Sequence, residues 1–172
     1  VLSGGTEALL QKQADLVITG RVPPGFLGDP LLRLGFIAVA HPAHPLHQLG
    51  RPLQAEDLRA HRQVVVRDSG VRLRADSGWL GAERRLTVSH PNTSIQALCR
   101  GLGFAWIPRE KIRDELASGQ LRPLPLAEGA TRWADLYLVL AEREAAGPAV
   151  ERLAELLRQA AARCRARADA GA

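Results

Sequence analysis

Short apolar runs alternate with helix-forming segments along this chain. Residues 15–19 form one continuous apolar run that ends at Gly20, which predicts a buried parallel strand preceded by a helix at 6–13. A second, longer apolar run at 31–40 predicts a strand that stops at His41-Pro42. Shorter runs predict further strands at 63–66, 86–88, 104–107 and 136–140.

The helix with the clearest sequence signals follows the strand at 86–88. Thr93 and Gln96 fit a capping box, so the pattern predicts that Thr93 caps this helix and that Gly101 and Gly103 end it. Its apolar face is predicted to carry Ile95, Leu98, Cys99 and Leu102.

Three further helices are predicted. One covers 55–60, a second follows Pro108 and stops at Gly119, and the last begins at Gly147-Pro148. The last helix is predicted to pack on the strands at 15–19 and 31–40. Its apolar side would carry Val150, Leu153, Leu157 and Cys164.

Alternation of strands and helices predicts an α/β fold with mainly parallel sheets. A chain of 172 residues with 46% apolar residues can form one domain or two small lobes with a shared core. The chain opens with Val1-Leu2-Ser3, which reads as a strand without a preceding unit, and we therefore expect a truncated amino end.

Composition narrows the location and the partners. No stretch approaches the roughly 18 apolar residues of a membrane helix, and the start lacks the features of a secretory signal, so we expect a cytoplasmic protein without a membrane partner. Cys99 and Cys164 lie on predicted helices and are expected to be buried thiols. The net charge of +5 comes from scattered arginines without interleaved aromatic residues, which does not indicate a nucleic-acid-binding surface.

A predicted helix start offers the first candidate binding residues. His90, Asn92, Thr93 and Ser94 lie where backbone amides and the helix dipole favour a small anion. The alternative is that Thr93 only caps the helix, and both roles are compatible.

Two strand ends offer the others. Thr19, Gly20 and Arg21 follow the strand at 15–19, at the place where open α/β sheets bind ligands, and Arg21 could pair with a carboxylate. Arg67, Asp68 and Ser69 follow the strand at 63–66 in the same way. For both groups the alternative is an ordinary solvated loop.

The sequence gives no support for metal, cofactor or catalytic chemistry. His41, His44 and His47 are spaced by three residues, but Pro42 and Pro45 prevent the helix on which such histidines would converge, and a turn is the better interpretation. No serine stands in a nucleophile motif, and the Gly101/Gly103 pair does not complete a dinucleotide fingerprint. We therefore expect no enzyme activity and no cofactor.

The order of these segments resembles the regulatory domain of LysR-type transcription regulators. The resemblance begins at Gly5–Leu10 with the following Asp15–Ile18, and continues through Pro30–Leu46. Its most specific part runs from Val88-Ser89 through the capped helix to Gly101-Leu102-Gly103-Phe104-Ala105 and Ile107-Pro108, and late strands match at 121–124 and 136–139. We add Gly103 to the candidate effector-binding residues.

The resemblance implies a type II fold like that of periplasmic binding proteins, with two α/β lobes crossed twice by the chain. Lobe I, incomplete, would comprise 1–46 and 142–172, and lobe II would comprise 47–141. It also implies a small-molecule effector in the cleft, a homodimer or homotetramer, and DNA binding only through a helix-turn-helix outside this chain. The alternative is a small-molecule carrier or enzyme on the same fold.

Overall fold

The computed structural model describes residues 4–68 and 81–169. They form helices and strands in the order predicted from the sequence. The helices are α1 (Gly4–Leu10), α2 (Ala55–Arg59), α3 (Pro91–Cys99), α4 (Arg113–Ala117) and α5 (Pro148–Asp169), with 3-10 turns at Pro45–His47 and Arg109–Ile112. The strands are β1 (Leu16–Thr19), β2 (Gly28–Ala40), β3 (Arg62–Val66), β4 (Arg84–Val88), β5 (Phe104–Pro108), β6 (Arg122–Pro123) and β7 (Thr131–Leu140).

The chain divides into two compact units. Unit 1 comprises 1–34, 68–75 and 134–172, and unit 2 comprises 35–67 and 76–133. The division falls inside β2 and β7, so each of these two strands contributes to both units. The lobe limits at 46 and 142 stay a prediction.

Unit 1 contains β1 beside β7, and this pair is antiparallel. Leu16 lies opposite Leu140, and Thr19 lies opposite Tyr137. The predicted parallel direction of the strand at 15–19 is therefore wrong for this pairing. An apolar run indicates a buried strand but carries no information on the direction of its neighbour, and here that neighbour is β7, which brings the chain back into unit 1.

Helix α5 packs on unit 1 as predicted, but with a different stripe of side chains. Ala154 and Ala161 are buried against Leu31 and Leu138 of β2 and β7, with Leu16 of β1 in the same cluster. Val150 and Leu157 pack at its margin, whereas the predicted Leu153 is 49% exposed and Cys164 is exposed. Because alanine lets the helix backbone approach the sheet, the helix buries its small residues and leaves Leu153 outside.

Unit 2 is a mixed sheet with the order β2-β5-β3-β4. β3 runs parallel to both β4 and β5, which agrees with the predicted parallel sheet. β2 runs antiparallel to β5 and β6, so the expectation of parallel strands does not hold there. The strand that enters unit 2 from unit 1 runs against the strands that the unit builds from its own segments.

The two faces of the unit 2 sheet are buried by different layers. Phe104 of β5 packs with Leu46 and Leu58 on one face. Ala105 and Ile107 pack on the other face, beneath Leu98 of α3. This alternation is the two-residue period of a strand covered on both faces, and it explains why the run at 104–107 is apolar throughout.

No helix within 4–68 or 81–169 combines the length and the apolar character that crossing a membrane requires.

Gly103 precedes β5 where two backbone segments come into close contact. A Cβ atom built at this glycine would lie 2.2 Å from the carbonyl oxygen of Arg62 and 3.4 Å from the side chain of Val64. Since the carbonyl belongs to the first residue of β3, it cannot move without disturbing the sheet. The absence of a side chain at Gly103 thus permits β5 to approach β3.

We expect Gly103→Ala to lower the free energy of unfolding by about 1–3 kcal/mol, because the added methyl group must displace backbone atoms. Urea denaturation followed by circular dichroism measures the change. Gly5→Ala is the matched control: its Cβ would meet Val17 at an ordinary 3.7 Å, and alanine favours the helix. Equal stability of Gly103→Ala and the unmodified chain would contradict the close approach.

Candidate functional site

The carboxyl ends of β3 and β4 lie side by side in unit 2. Val66 is paired with Val88, and the backbone N–H of Arg67 donates to the carbonyl oxygen of Val88 at 2.8 Å. The chain then passes from β4 through Ser89 and His90 directly into α3. The structure therefore brings Arg67 to the same sheet edge as the start of α3. We call Arg67, His90, Asn92 and Thr93 the β3/β4 edge cluster.

Helix α3 begins three residues earlier than the capping pattern predicted. His90 is the N-cap residue, its side chain makes no capping hydrogen bond, and Pro91 is the first helical residue. Proline suits this position because its ring fixes a helical φ and no amide donor is lost. The prediction that Thr93 caps the helix is wrong: Thr93 is the third helical residue, and the signal that the pattern overlooked was Pro91.

The exposed start of α3 can attract an anion. Asn92 and Thr93 are exposed. Their backbone N–H groups lie in the first turn of α3, where N–H groups have no carbonyl acceptor within the helix. Arg67, whose backbone N–H binds Val88 at this sheet edge, is also exposed. Amide donors and the helix dipole thus lie at the carboxyl ends of parallel strands, the usual ligand position in α/β sheets, and Arg67 follows one of these strands.

Ser94 differs from its neighbours because it is buried. It is 0% exposed, and its hydroxyl donates to the carbonyl oxygen of Pro91 at 2.6 Å. The single hydroxyl proton is therefore already used within the first turn of α3.

In unit 1, Thr19 organises the turn that follows β1. The residue is 2% exposed, and its hydroxyl oxygen accepts from the backbone N–H of Arg21 at 3.3 Å and donates to the carbonyl oxygen of Arg21 at 3.1 Å. The hydroxyl of Thr6 lies 3.4 Å away. Gly20 and the side chain of Arg21 are exposed, so Thr19 holds the loop that presents one guanidinium group to solvent.

The remaining candidates do not join the β3/β4 edge cluster. Gly103 lies against Arg62 at the amino end of β3, about 16 Å along the strand from Arg67 at about 3.3 Å per residue. Asp68 is half-buried and belongs to unit 1, and Ser69 lies outside the described residues.

The histidine string at 41–47 forms a turn, as predicted. Nδ1 of His41 accepts from the N–H of Ala43 at 3.2 Å, and Nδ1 of His44 accepts from the N–H of Leu46 at 3.3 Å. His44 caps the 3-10 turn, is 7% exposed, and lies with its ring centre 5.1 Å from that of His61. Burial, followed by the neighbouring histidines, lowers the pKa of His44 from 6.5 to about 4.

Comparison with known proteins gives one consistent family. The family described as the LysR substrate binding domain matches residues 3–162. The probable HTH-type transcriptional regulator YhaJ of Escherichia coli K12 is 35% identical over 127 residues, which cover 71% of this chain and 43% of YhaJ. The chain thus spans less than half the length of this curated relative.

Solved structures of low sequence identity share the fold. Full-length LysG from Corynebacterium glutamicum, with bound effector Arg, superimposes with a TM-score of 0.66 at 19% identity, covering 91% of this chain and 54% of LysG. The CcmR regulatory domain of Synechocystis PCC6803, in complex with 2-PG, gives a TM-score of 0.64 at 15% identity, covering 91% of this chain and 77% of that domain.

We expect acidification to destabilise the chain through His44. Because the pKa of His44 is lower in the folded state than its ordinary value of 6.5, its contribution to stability is complete above pH 6.5 and is lost as the pH falls towards 4. His44→Asn retains a side-chain acceptor for the cap and removes the titration. Between pH 7 and pH 4.5 the unmodified chain should lose about 1–3 kcal/mol more than His44→Asn. Parallel pH profiles of unfolding would contradict this assignment.

Substitution of Thr93 tests where α3 begins. Since Thr93 is not the cap, Thr93→Ala should change the free energy of unfolding by less than about 0.5 kcal/mol, whereas loss of a cap costs about 0.5–2 kcal/mol. Leu98→Ala removes a buried side chain of the same helix and should lower the free energy of unfolding by about 2–5 kcal/mol. This control shows that the measurement reports on unit 2. If Thr93→Ala instead lowered the free energy of unfolding by about 0.5–2 kcal/mol, Thr93 would be the N-cap residue of the helix.

Proposed function

The chain belongs to the LysR substrate binding domain family, and we propose that it is the effector-sensing part of a bacterial LysR-type transcription regulator. The observation that carries the proposal is the β3/β4 edge cluster. There the carboxyl ends of two parallel strands, the amino end of α3 and the exposed residue Arg67 lie at one edge of unit 2. Such an edge recognises a small ligand through backbone amides and charge.

The proposed effector is a small anionic metabolite. Amide donors at the α3 start and the fork of Arg67 suit a carboxylate or phosphate group, which a guanidinium can bind through two parallel hydrogen bonds. The fold supports a ligand of this size, because LysG is known with bound Arg and CcmR with 2-PG.

Each unit carries proposed effector-binding residues of its own. In unit 2, Asn92, Thr93 and Arg67 offer donors that have no acceptor among the described residues, while His90 and Ser94 shape the start of α3. In unit 1, the turn fixed by Thr19 presents Gly20 and Arg21. Gly103 lies against Arg62 at the amino end of β3, and its role in effector binding stays a prediction. Asp68 and Ser69 complete the proposed set.

Transcription regulation also requires a DNA-binding segment and an oligomer. We propose that units 1 and 2 correspond to the two lobes of the regulatory fold, with β2 and β7 as the crossing strands. DNA binding belongs to a helix-turn-helix of the full regulator, which acts in the cytoplasm as a homodimer or homotetramer. The sequence supports this assignment, because its arginines are scattered along the chain and not clustered.

A pair of arginine substitutions on the same two strands tests the effector site. Arg67 follows the carboxyl end of β3, whereas Arg84 is the exposed first residue of β4, at the opposite edge. We expect Arg67→Gln in the full-length regulator to weaken effector binding about five- to hundredfold, the equivalent of about 1–3 kcal/mol for a lost charged hydrogen bond. Arg84→Gln should bind as the unmodified protein does.

The measurement is calorimetric titration with an effector selected by thermal-shift screening of small carboxylates and phosphates, with arginine and 2-PG in the first panel. Binding that responds equally to both substitutions would remove the site from the β3/β4 edge. If the selected effector binds but leaves the affinity of the full-length regulator for its DNA operator unchanged, the sensing function itself is contradicted.

A further inference from the structure

Unit 1 contains a cavity of about 300 Å³ beside α5. Its volume lies at the lower end of the range of small-molecule sites, which is about 300–1,000 Å³. None of the proposed effector-binding residues lines it. The lining consists of three apolar residues, Leu140, Ala146 and Ala154, and three charged residues, Arg143, Glu151 and Arg158.

Asp29 holds both arginines of the cavity in place. Nη2 of Arg143 binds one carboxylate oxygen of Asp29, and Nη2 of Arg158 binds the other at 2.8 Å. The hydrogen bonds from Arg143 and then Arg158 lower the pKa of Asp29, which therefore stays ionised. One carboxylate thus fixes the orientation of two guanidinium groups that come from different segments of the chain.

The two arginines retain most of their binding capacity. Each guanidinium has five N–H donors, and each uses only its Nη2 atom in the contact with Asp29. Within the described part of the chain, their Nε and Nη1 groups have no hydrogen-bond acceptor. Glu151 of the lining offsets the positive charge that Asp29 leaves, so the cavity as a whole is neutral, which suits a zwitterionic ligand. The pair is therefore preorganised for a second carboxylate.

The other lining residues restrict the ligand further. Glu151 lies in the first turn of α5, is exposed, and offers an acceptor for an ammonium group. Leu140 and Ala154 belong to the buried core of unit 1, so part of the lining is apolar. A cationic pair, one carboxylate and an apolar wall in one small cavity match the three parts of an aliphatic amino acid.

We propose that this cavity is a second ligand site, which binds a small aliphatic amino acid. The ligand carboxylate binds Arg143 and Arg158, its ammonium group binds Glu151, and its side chain covers Leu140 and Ala154. The site is independent of the β3/β4 edge cluster, because all of its residues belong to unit 1.

Three probes separate the parts of this recognition. L-leucine carries both charged groups, L-leucinamide lacks the carboxylate, and 4-methylpentanoate lacks the ammonium group. Calorimetric titration of the full chain should give saturable L-leucine binding with a Kd of about 1 mM or tighter. Each of the two analogues should bind at least about tenfold more weakly, the equivalent of one lost charged hydrogen bond. Absence of saturable L-leucine binding, or equal binding of all three probes, would overturn the proposal.

Three substitutions assign the binding to this cavity. Arg158→Gln should weaken L-leucine and 4-methylpentanoate alike, whereas Glu151→Gln should weaken L-leucine and L-leucinamide but not 4-methylpentanoate. Arg152→Gln is the matched control, because Arg152 is an exposed arginine of the same helix, paired with Glu155 and absent from the lining. Glu151 is exposed and supports no part of the core, so its substitution tests the site even where Arg158→Gln disturbs folding.

The Arg67→Gln variant distinguishes this site from the effector site. L-leucine binding that survives Arg67→Gln supports a separate cavity, and its loss would overturn the second site while leaving the proposed function intact. Loss of effector binding in Arg67→Gln with L-leucine binding retained is the expected combined result.

Discussion

The parallel pairing of β3 with its two neighbours is the constraint on which unit 2 depends. β4 on one side places Val88 beside Val66, and the bond from the Arg67 N–H to Val88 carries this register one residue beyond the strands. On the other side, β5 approaches closely enough that Gly103 can carry no side chain. The same strand therefore determines the position of Arg67 and the packing of α3 on the sheet.

Unit 1 depends on a different interaction, the contact between α5 and the sheet. Ala154 and Ala161 let the helix lie close to Leu31 and Leu138, and polar contacts fix its rotation. Arg158 binds Asp29 near the start of β2, and Arg165 donates to the carbonyl oxygen of Leu31 at 2.6 Å. These contacts join residues more than 100 positions apart, so the last helix closes a unit whose first strands come from the start of the chain.

The polar groups at the two candidate sites are of two kinds: some hydrogen-bond the nearby backbone and hold it in place, and the others are exposed to solvent. The hydroxyl groups of Thr19 and Ser94 are buried and bonded to nearby backbone atoms, which holds the adjoining loop and helix turn. Arg21, Arg67 and Thr93 are exposed beside them. A buried hydroxyl that leaves its partner loses a hydrogen bond that water does not replace. Recognition is therefore assigned to the exposed members, and preorganisation to the buried ones.

The sequence alone determined the type and order of most elements, because apolar periodicity and the positions of glycine and proline are local properties. It placed the strand at 104–107, the turn at 41–47 and the contact of the last helix with 15–19 and 31–40, and the order of motifs indicated the family. Tertiary structure decided what depends on neighbours. The direction of β1 against β7 follows from the return of the chain through β7, which no local pattern records. The buried stripe of α5 follows from how closely the helix approaches its sheet, which favoured Ala154 over Leu153. The salt bridges of Asp29 with Arg143 and Arg158 likewise join distant segments, so only the folded chain could place two arginines on one carboxylate.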